Sequence, residues 1–233
     1  MEPWREKIEY VVENTAVLRP PKQALITFGS TTIRYYLVTE PVYAELSDIG
    51  DETVIREGKV MAERPQIVTP SYLVNLFQGF EHGREYAQFI MREYGPHEPG
   101  LLYRYKNELN STDIVSEPLS EVASKLIAKL EWEREPLATV IRGVDEMWDV
   151  SLMKFIHDFT ADSLQRNVAE LQGKGFLDID DSHIPRGVRI RIEEIFEQVL
   201  KGQRQPQELK LELERWGLFR EYEDRFLNLF RRR

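Results

Sequence analysis

Ala24-Leu25-Ile26-Thr27-Phe28, Gly29-Ser30 and Thr31-Thr32-Ile33-Arg34-Tyr35-Tyr36-Leu37-Val38 place β-branched and aromatic residues on both sides of a glycine-containing turn, the pattern of a β-hairpin. Downstream, Thr53-Val54-Ile55-Arg56 and Lys59-Val60-Met61-Ala62 surround Glu57-Gly58, and Gln66-Ile67-Val68 lies between Pro65 and Pro70. These stretches predict a small antiparallel sheet of about four or five strands. Such a sheet has an apolar face to cover, and helices over 71–80 and 81–94 are the nearest cover. Upstream, Ile8, Val11, Val12 and Ala16 recur at helical spacing over 4–18, between Pro3 and the Pro20-Pro21 pair.

Gly95-Pro96-His97-Glu98-Pro99-Gly100 and the polar run 107–113 punctuate the chain, because Pro and Gly reset the backbone while Asn, Ser and Asp compete for its hydrogen bonds. Beyond them the periodicity is helical. Leu119, Val122, Ala123, Leu126, Ile127 and Leu130 form one apolar stripe, with Ser116 as cap and Pro136 as stop. Val144, Met147, Trp148, Leu152, Phe155, Ile156 and Phe159 form a second, and Asp162 caps a separate helix carrying Leu164, Val168 and Leu171. Three more stripes centre on Ile192 to Val199, on Leu209 and Leu213, and on Phe219 to Phe230. The expected fold class is α+β: a small N-terminal antiparallel sheet of hairpins with covering helices over 1–105, then a mainly helical C-terminal half over 114–233, packed separately or as one continuous domain.

Composition narrows function. Hydrophobic residues make up 42% and aromatics 11%, enough for a core and too many for a disordered chain. There is no cysteine, which removes disulfide frameworks, thiol nucleophiles, iron–sulfur clusters and cysteine-ligated zinc. Met1-Glu2-Pro3-Trp4-Arg5-Glu6 opens no apolar run, and no stretch approaches the ~18 apolar residues of a membrane span, so the expectation is a soluble cytoplasmic protein that does not engage membranes. The net charge of −9 disfavours polyanions as partners. Only the part from Arg186 onward carries more basic than acidic residues, so nucleic acid is disfavoured without being excluded.

No phosphate-binding loop, dinucleotide fingerprint, nucleophile elbow or His-Glu-x-x-His pattern occurs. The candidates for chemistry are therefore local clusters. His82 and Glu85 share a helix face as a partial ligand pair, and His157-Asp158 with Asp162 offers an imidazole beside carboxylates, but solvated helix surfaces are the preferred reading of both. Asp178-Ile179-Asp180-Asp181-Ser182-His183 is the densest set of hard-cation ligands, with Asp178, Asp180, Asp181 and His183 as its candidate metal ligands. An acidic inter-helix turn is the alternative, so no metal or other cofactor is assigned. Arg186, Arg189 and Arg191 cluster at a helix N-terminus, where backbone N–H groups would reinforce anion or nucleic-acid binding. Glu193, Glu194 and the upstream aspartates offer them ion pairs instead. Phe219, Tyr222, Phe226 and Phe230 make a stripe that serves either as core or as an interaction surface.

Leu152 to Leu177, with Ser163-Leu164-Gln165-Arg166-Asn167 opening a second helix and Gly173-Lys174-Gly175-Phe176-Leu177 closing it, resembles the recognition helix and following turn of winged-helix regulators. The resemblance implies DNA association, but Asp178 to Asp181 stand where a wing would meet phosphate. The function expected is a non-catalytic protein-protein interaction or regulatory module, with a protein partner or a second copy of the chain. The alternatives are an enzyme using carboxylates, with or without a metal, and a DNA-associated regulator; the lack of catalytic motifs weighs against an enzyme.

Overall fold

Thr31–Thr39 (β2) is a nearly continuous run of buried side chains, which is what a strand covered on both faces requires. The computed structural model describes residues 3–43, 52–72, 91–92 and 95–231. Its Cα packing divides the chain into two compact units, Met1–Pro65 with Tyr103–Asn167 and Gln66–Leu102 with Val168–Arg233.

The first unit is built around a five-stranded mixed sheet. Ala16–Arg19 (β1) follows the helix Pro3–Asn14 (α1), and Thr53–Ala62 (β3) follows β2. After the short strands Gln66–Val68 (β4) and Gly100–Leu102 (β5) come Tyr105–Val115 (β6), the helix Leu119–Glu133 (α2) and Ala138–Arg142 (β7). The spatial order is β1-β7-β2-β3-β6. β7 runs parallel to β2, with Val38 opposite Arg142, while the other neighbours are antiparallel. The sheet is thus mixed, with one strand drawn from the helix-rich part of the sequence.

Alternation along β2 sends Ile33, Tyr35 and Leu37 to one face and Tyr36 and Val38 to the other. The first set packs on Leu152 and Phe155 of the helix Trp148–Gly173 (α3), the second on Val122, Ala123 and Leu130 of α2. Each large apolar side chain buried this way contributes about 1.5–3 kcal/mol. The cover in the described residues is therefore α2 and α3; most of the helices expected over 71–94, and with them His82 and Glu85, fall outside the described residues.

Several local expectations are corrected. Residues 24–28 form no strand. Side chains take their backbone bonds instead: the Leu25 N–H donates to Ser163 Oγ at 3.1 Å and the Ile26 N–H to Thr31 Oγ1 at 2.9 Å. Glu57-Gly58 is no turn either, since β3 runs straight through it. Gly58 pairs with Leu109 and Glu57 with Ser111, which leaves Asn110 as the extra residue of a bulge. The polar run 107–113 belongs to β6, whose side chains are mostly exposed; an edge strand with two wet faces has the composition of a loop. The first helix stops at Asn14 and its expected last turn is β1. Asp162 begins nothing, because α3 continues from Trp148 to Gly173, with the Thr160 and Ser163 hydroxyls donating back to Ile156 O and Phe159 O. Pro118 rather than Ser116 is the residue before α2, and it makes no side-chain cap bond.

The second unit pairs β4 with β5 and packs three helices: Arg186–Leu200 (α4), Pro206–Arg215 (α5) and Phe219–Arg231 (α6). Ile192, Phe196, Leu209, Leu213 and Trp216 from the expected stripes are buried there, joined by Val68 and Tyr72. α5 starts with a capping box between Gln205 and Glu208 and Pro206 in its first turn. Burial, then the nearby Glu212 charge, pushes the Tyr72 phenol up to about 12. No helix among the described residues is long and apolar enough to cross a membrane.

Candidate functional site

Because β2 and β7 are parallel, their carboxyl ends lie side by side, the place where sheets with parallel strands leave a crevice for ligands. A cleft of about 450 Å³ opens here. Its described walls are Tyr10 and Asn14 from α1, Glu40 and Val42 after β2, Leu119 at the start of α2, Arg142 at the end of β7 and 143–146 beyond it.

The turn after β7 is shaped by close packing. The Gly143 N–H donates to Val38 O at 3.0 Å, extending the parallel ladder by one residue. A Cβ at Gly143 would lie 2.7 Å from Ser151 Oγ and 2.8 Å from Ser151 Cβ, so only glycine lets α3 approach this closely. Ser151 is fully buried; its oxygen accepts the Val144 N–H at 3.2 Å and lies 2.8 Å from the Thr15 hydroxyl. Asp145 is anchored from the sheet: Thr39 donates to its Oδ1 at 2.8 Å, and Arg56 Nη2 sits 2.8 Å from the same oxygen. Arg56 also donates to Thr39 Oγ1 at 3.0 Å and lies over the Trp148 ring.

These bonds decide which charges remain open. Asp145 is neutralised by Arg56, and Glu146 is bonded to Lys7 at 3.0 Å. Arg142 and Glu40 make no ion pair or side-chain hydrogen bond among the described residues, and both are exposed at the cleft. They continue the sheet face that carries Val38 and Val140, the face covered by α2. The first intrahelical bonds of α2 run from Glu121 and Val122 to Pro118 O, which leaves the Leu119 and Ser120 N–H groups without an intrahelical acceptor, and Leu119 lines the cleft. The cleft can therefore hold a small polar molecule by charge and by hydrogen bonds. It presents no histidine and no paired nucleophile among its described residues.

The residues singled out from the sequence lie elsewhere. Asp180 organises its own turn: it accepts the Ser182 and Ile184 N–H groups, both at 2.9 Å, and faces Arg189 Nε at 2.9 Å. His183 adopts a left-handed backbone, φ 61°, and its ring lies tilted against that of His97 with centroids 4.5 Å apart. Asp178 and Asp181 do not join them in a ligand set, and no group of three metal-ligating side chains occurs among the described residues. Arg189 is engaged by Asp180, Glu221 and the Tyr222 hydroxyl, and Arg191 by Glu194 at 3.1 Å. Burial works to lower the Arg189 pKa, yet these three partners hold it above its ordinary value. Arg186 is exposed, and its backbone N–H donates to Asp178 O at 2.7 Å.

Phe226 is buried, Phe219 and Tyr222 pack against the core of their unit, and Phe230 is half exposed. Phe230 and Leu200 border an apolar groove of about 350 Å³ between α4, α5 and α6. His157 is an exposed surface side chain; its neighbour Asp158 is held below the usual carboxylate range by Lys154 first and His157 second. The segment with winged-helix flavour is the single helix α3, with no turn before Ser163.

Sequence reading missed Glu40, Arg142 and the knot beneath them. Thr39 and Asp145 are 106 positions apart and meet only through the parallel pairing of β2 with β7. The one local signal was Gly143 between an apolar strand and Val144-Asp145-Glu146, a strand–glycine–helix junction. No protein-family model matches the chain, and comparison with curated proteins and with solved structures finds no match.

Proposed function

We propose that this chain is a non-catalytic regulatory module that binds a small polar ligand in the cleft at the carboxyl ends of β2 and β7. The observation that carries the reading is Arg142, a cation at a concave site whose neighbouring carboxylates Asp145 and Glu146 already have partners. A concavity in which a few polar groups converge at the end of a rigid sheet offers the fixed charge and hydrogen-bond partners that a small polar ligand needs. The lack of an acid–base pair or nucleophile in its described walls favours binding over turnover. Thermal-shift measurements with small anions, amines, amino acids and nucleotides test it on wild type and Arg142→Gln. At least one class raises the wild-type midpoint and fails on the variant; if no class does so, the reading is withdrawn.

A second reading, self-association through the second unit, is favoured by Phe230 and Leu200, which converge half-exposed on one apolar groove. Light scattering decides it: a monomer at all concentrations, or a dimer equally populated by wild type and Phe230→Asp, removes it.

A further inference from the structure

Resting on the reading of the cleft as a ligand site, we infer that its ligand is a zwitterion of the free amino acid type, with its carboxylate on Arg142 and its ammonium on Glu40. Among the described residues, the two charged side chains that line the cleft without a partner are of opposite sign, and no ion pair within 4.0 Å joins them. Val38 is opposite Arg142, and Glu40 lies two residues further along, so a strand spacing near 4.8 Å and a rise near 3.3 Å per residue place the two Cα atoms about 8 Å apart. The cation, at the end of β7, and the carboxylate, just past the end of β2, thus lie at one opening, close enough for a single small molecule to bridge them.

The surroundings select among bridging molecules. Among the described residues Arg56 pairs with Asp145 and Lys7 with Glu146, so the charges left to a ligand are one cation and one carboxylate and not a pair of the same sign. A phosphate would gain Arg142 and meet Glu40; a simple amine would gain Glu40 and meet Arg142. An α-amino acid satisfies both at once, because its carboxylate and ammonium sit on one carbon. The guanidinium takes the carboxylate through two parallel N–H bonds. The Leu119 and Ser120 N–H groups at the positive end of α2 lie on that same side of the sheet. The exposed Tyr10 and Val42 at the rim offer apolar contact to the amino acid's side chain, and the volume of about 450 Å³ leaves room for one.

Isothermal titration on the full chain tests the inference with four probe classes: free L-amino acids, their N-acetyl derivatives, their amides, and inorganic phosphate. At least one free amino acid binds, while its N-acetyl derivative, lacking the ammonium, and its amide, lacking the carboxylate, each bind roughly tenfold or more weakly. Glu40→Gln and Arg142→Gln each lose affinity to a similar extent, with unfolding midpoints unchanged because both side chains are exposed and make no ion pair or side-chain hydrogen bond among the described residues. If N-acetyl derivatives or phosphate bind as well as the free amino acid and still depend on Arg142, the cleft is a ligand site but the zwitterion is wrong. If none of the four classes binds and the wider thermal-shift panel is also silent, the inference and the reading of the cleft fall together.

Discussion

Arg19 and Glu131 meet at 2.8 Å across 112 positions of sequence. Arg19 is only 4% exposed, and its guanidinium also donates to Glu135 O at 2.8 Å and to Ala138 O. Its own carbonyl accepts the Thr139 hydroxyl at 2.8 Å. One side chain thus ties β1 to the end of α2 and the start of β7, the strand that carries Arg142. Arg19→Met leaves two carbonyl oxygens without their donor, while the half-exposed Glu131 keeps Lys22, and it is expected to cost about 1–3 kcal/mol in urea unfolding followed by circular dichroism. Arg19→Lys recovers only part of this, since an ammonium cannot serve the three acceptors in their forked arrangement. A loss within experimental error for Arg19→Met would contradict the assignment.

Gly143 and Ser151 compete for the same space at the floor of the cleft. Gly143→Ala is expected to lower stability by about 1–3 kcal/mol, because the buried serine has nowhere to retreat. The double variant Gly143→Ala/Ser151→Gly should lose less than the sum of the two single losses, since the clash needs both side chains. Strict additivity in the denaturation midpoints would show that the close approach is not what demands glycine.

Asp180 makes the second unit acid-sensitive. Burial raises its pKa, but the Ile184 N–H, the Arg189 guanidinium and the Ser182 N–H outweigh that and hold it below the ordinary carboxylate range. A folded pKa below the unfolded one means that the stabilisation is complete above about pH 4 and is lost as the pH falls through the folded value. The stability gap between wild type and Asp180→Asn should therefore be constant from neutral pH to about pH 5 and shrink below about pH 4. A gap that widens on acidification would reverse the sign and refute the account.

Phe226 and Phe230 separate core from surface within one stripe. Phe226 is 7% exposed and meets Phe219 and Phe230 edge-on, whereas Phe230 is 51% exposed. Phe226→Ala is expected to cost about 3–5 kcal/mol and Phe230→Ala less than about 1 kcal/mol, read from the melting midpoint and its enthalpy. Equal losses would place Phe230 in the core as well.

The helical stripes were readable because a period near 3.6 marks which side chains point inward without reference to any partner. Ile192, Phe196, Leu209 and Leu213 are buried as their spacing requires. β2 was readable for a similar reason, its branched and aromatic run having no other use. β6 was not, because an edge strand exposed on both faces has no apolar alternation to reveal it. The bulge opposite Glu57-Gly58 imitated a turn, and Ala24 to Phe28 imitated a strand while drawing hydrogen bonds from side chains. Of the candidate site nothing but the Gly143 junction was visible, since a partnerless cation and a partnerless carboxylate look like any other surface charges in a string of letters.

The amino-acid order alone determined the α+β class, the helical faces of the second unit and the impossibility of thiol chemistry, since these depend on composition and on neighbours within a few residues. Which strands pair, and in which direction, depended on contacts between distant stretches. Only folding set β7 parallel beside β2, and by doing so placed Arg142 and Glu40 at one opening while Arg56 paired with Asp145 and Lys7 with Glu146. Charge at a site is decided by what remains after every partner has been taken, and that remainder exists only in three dimensions.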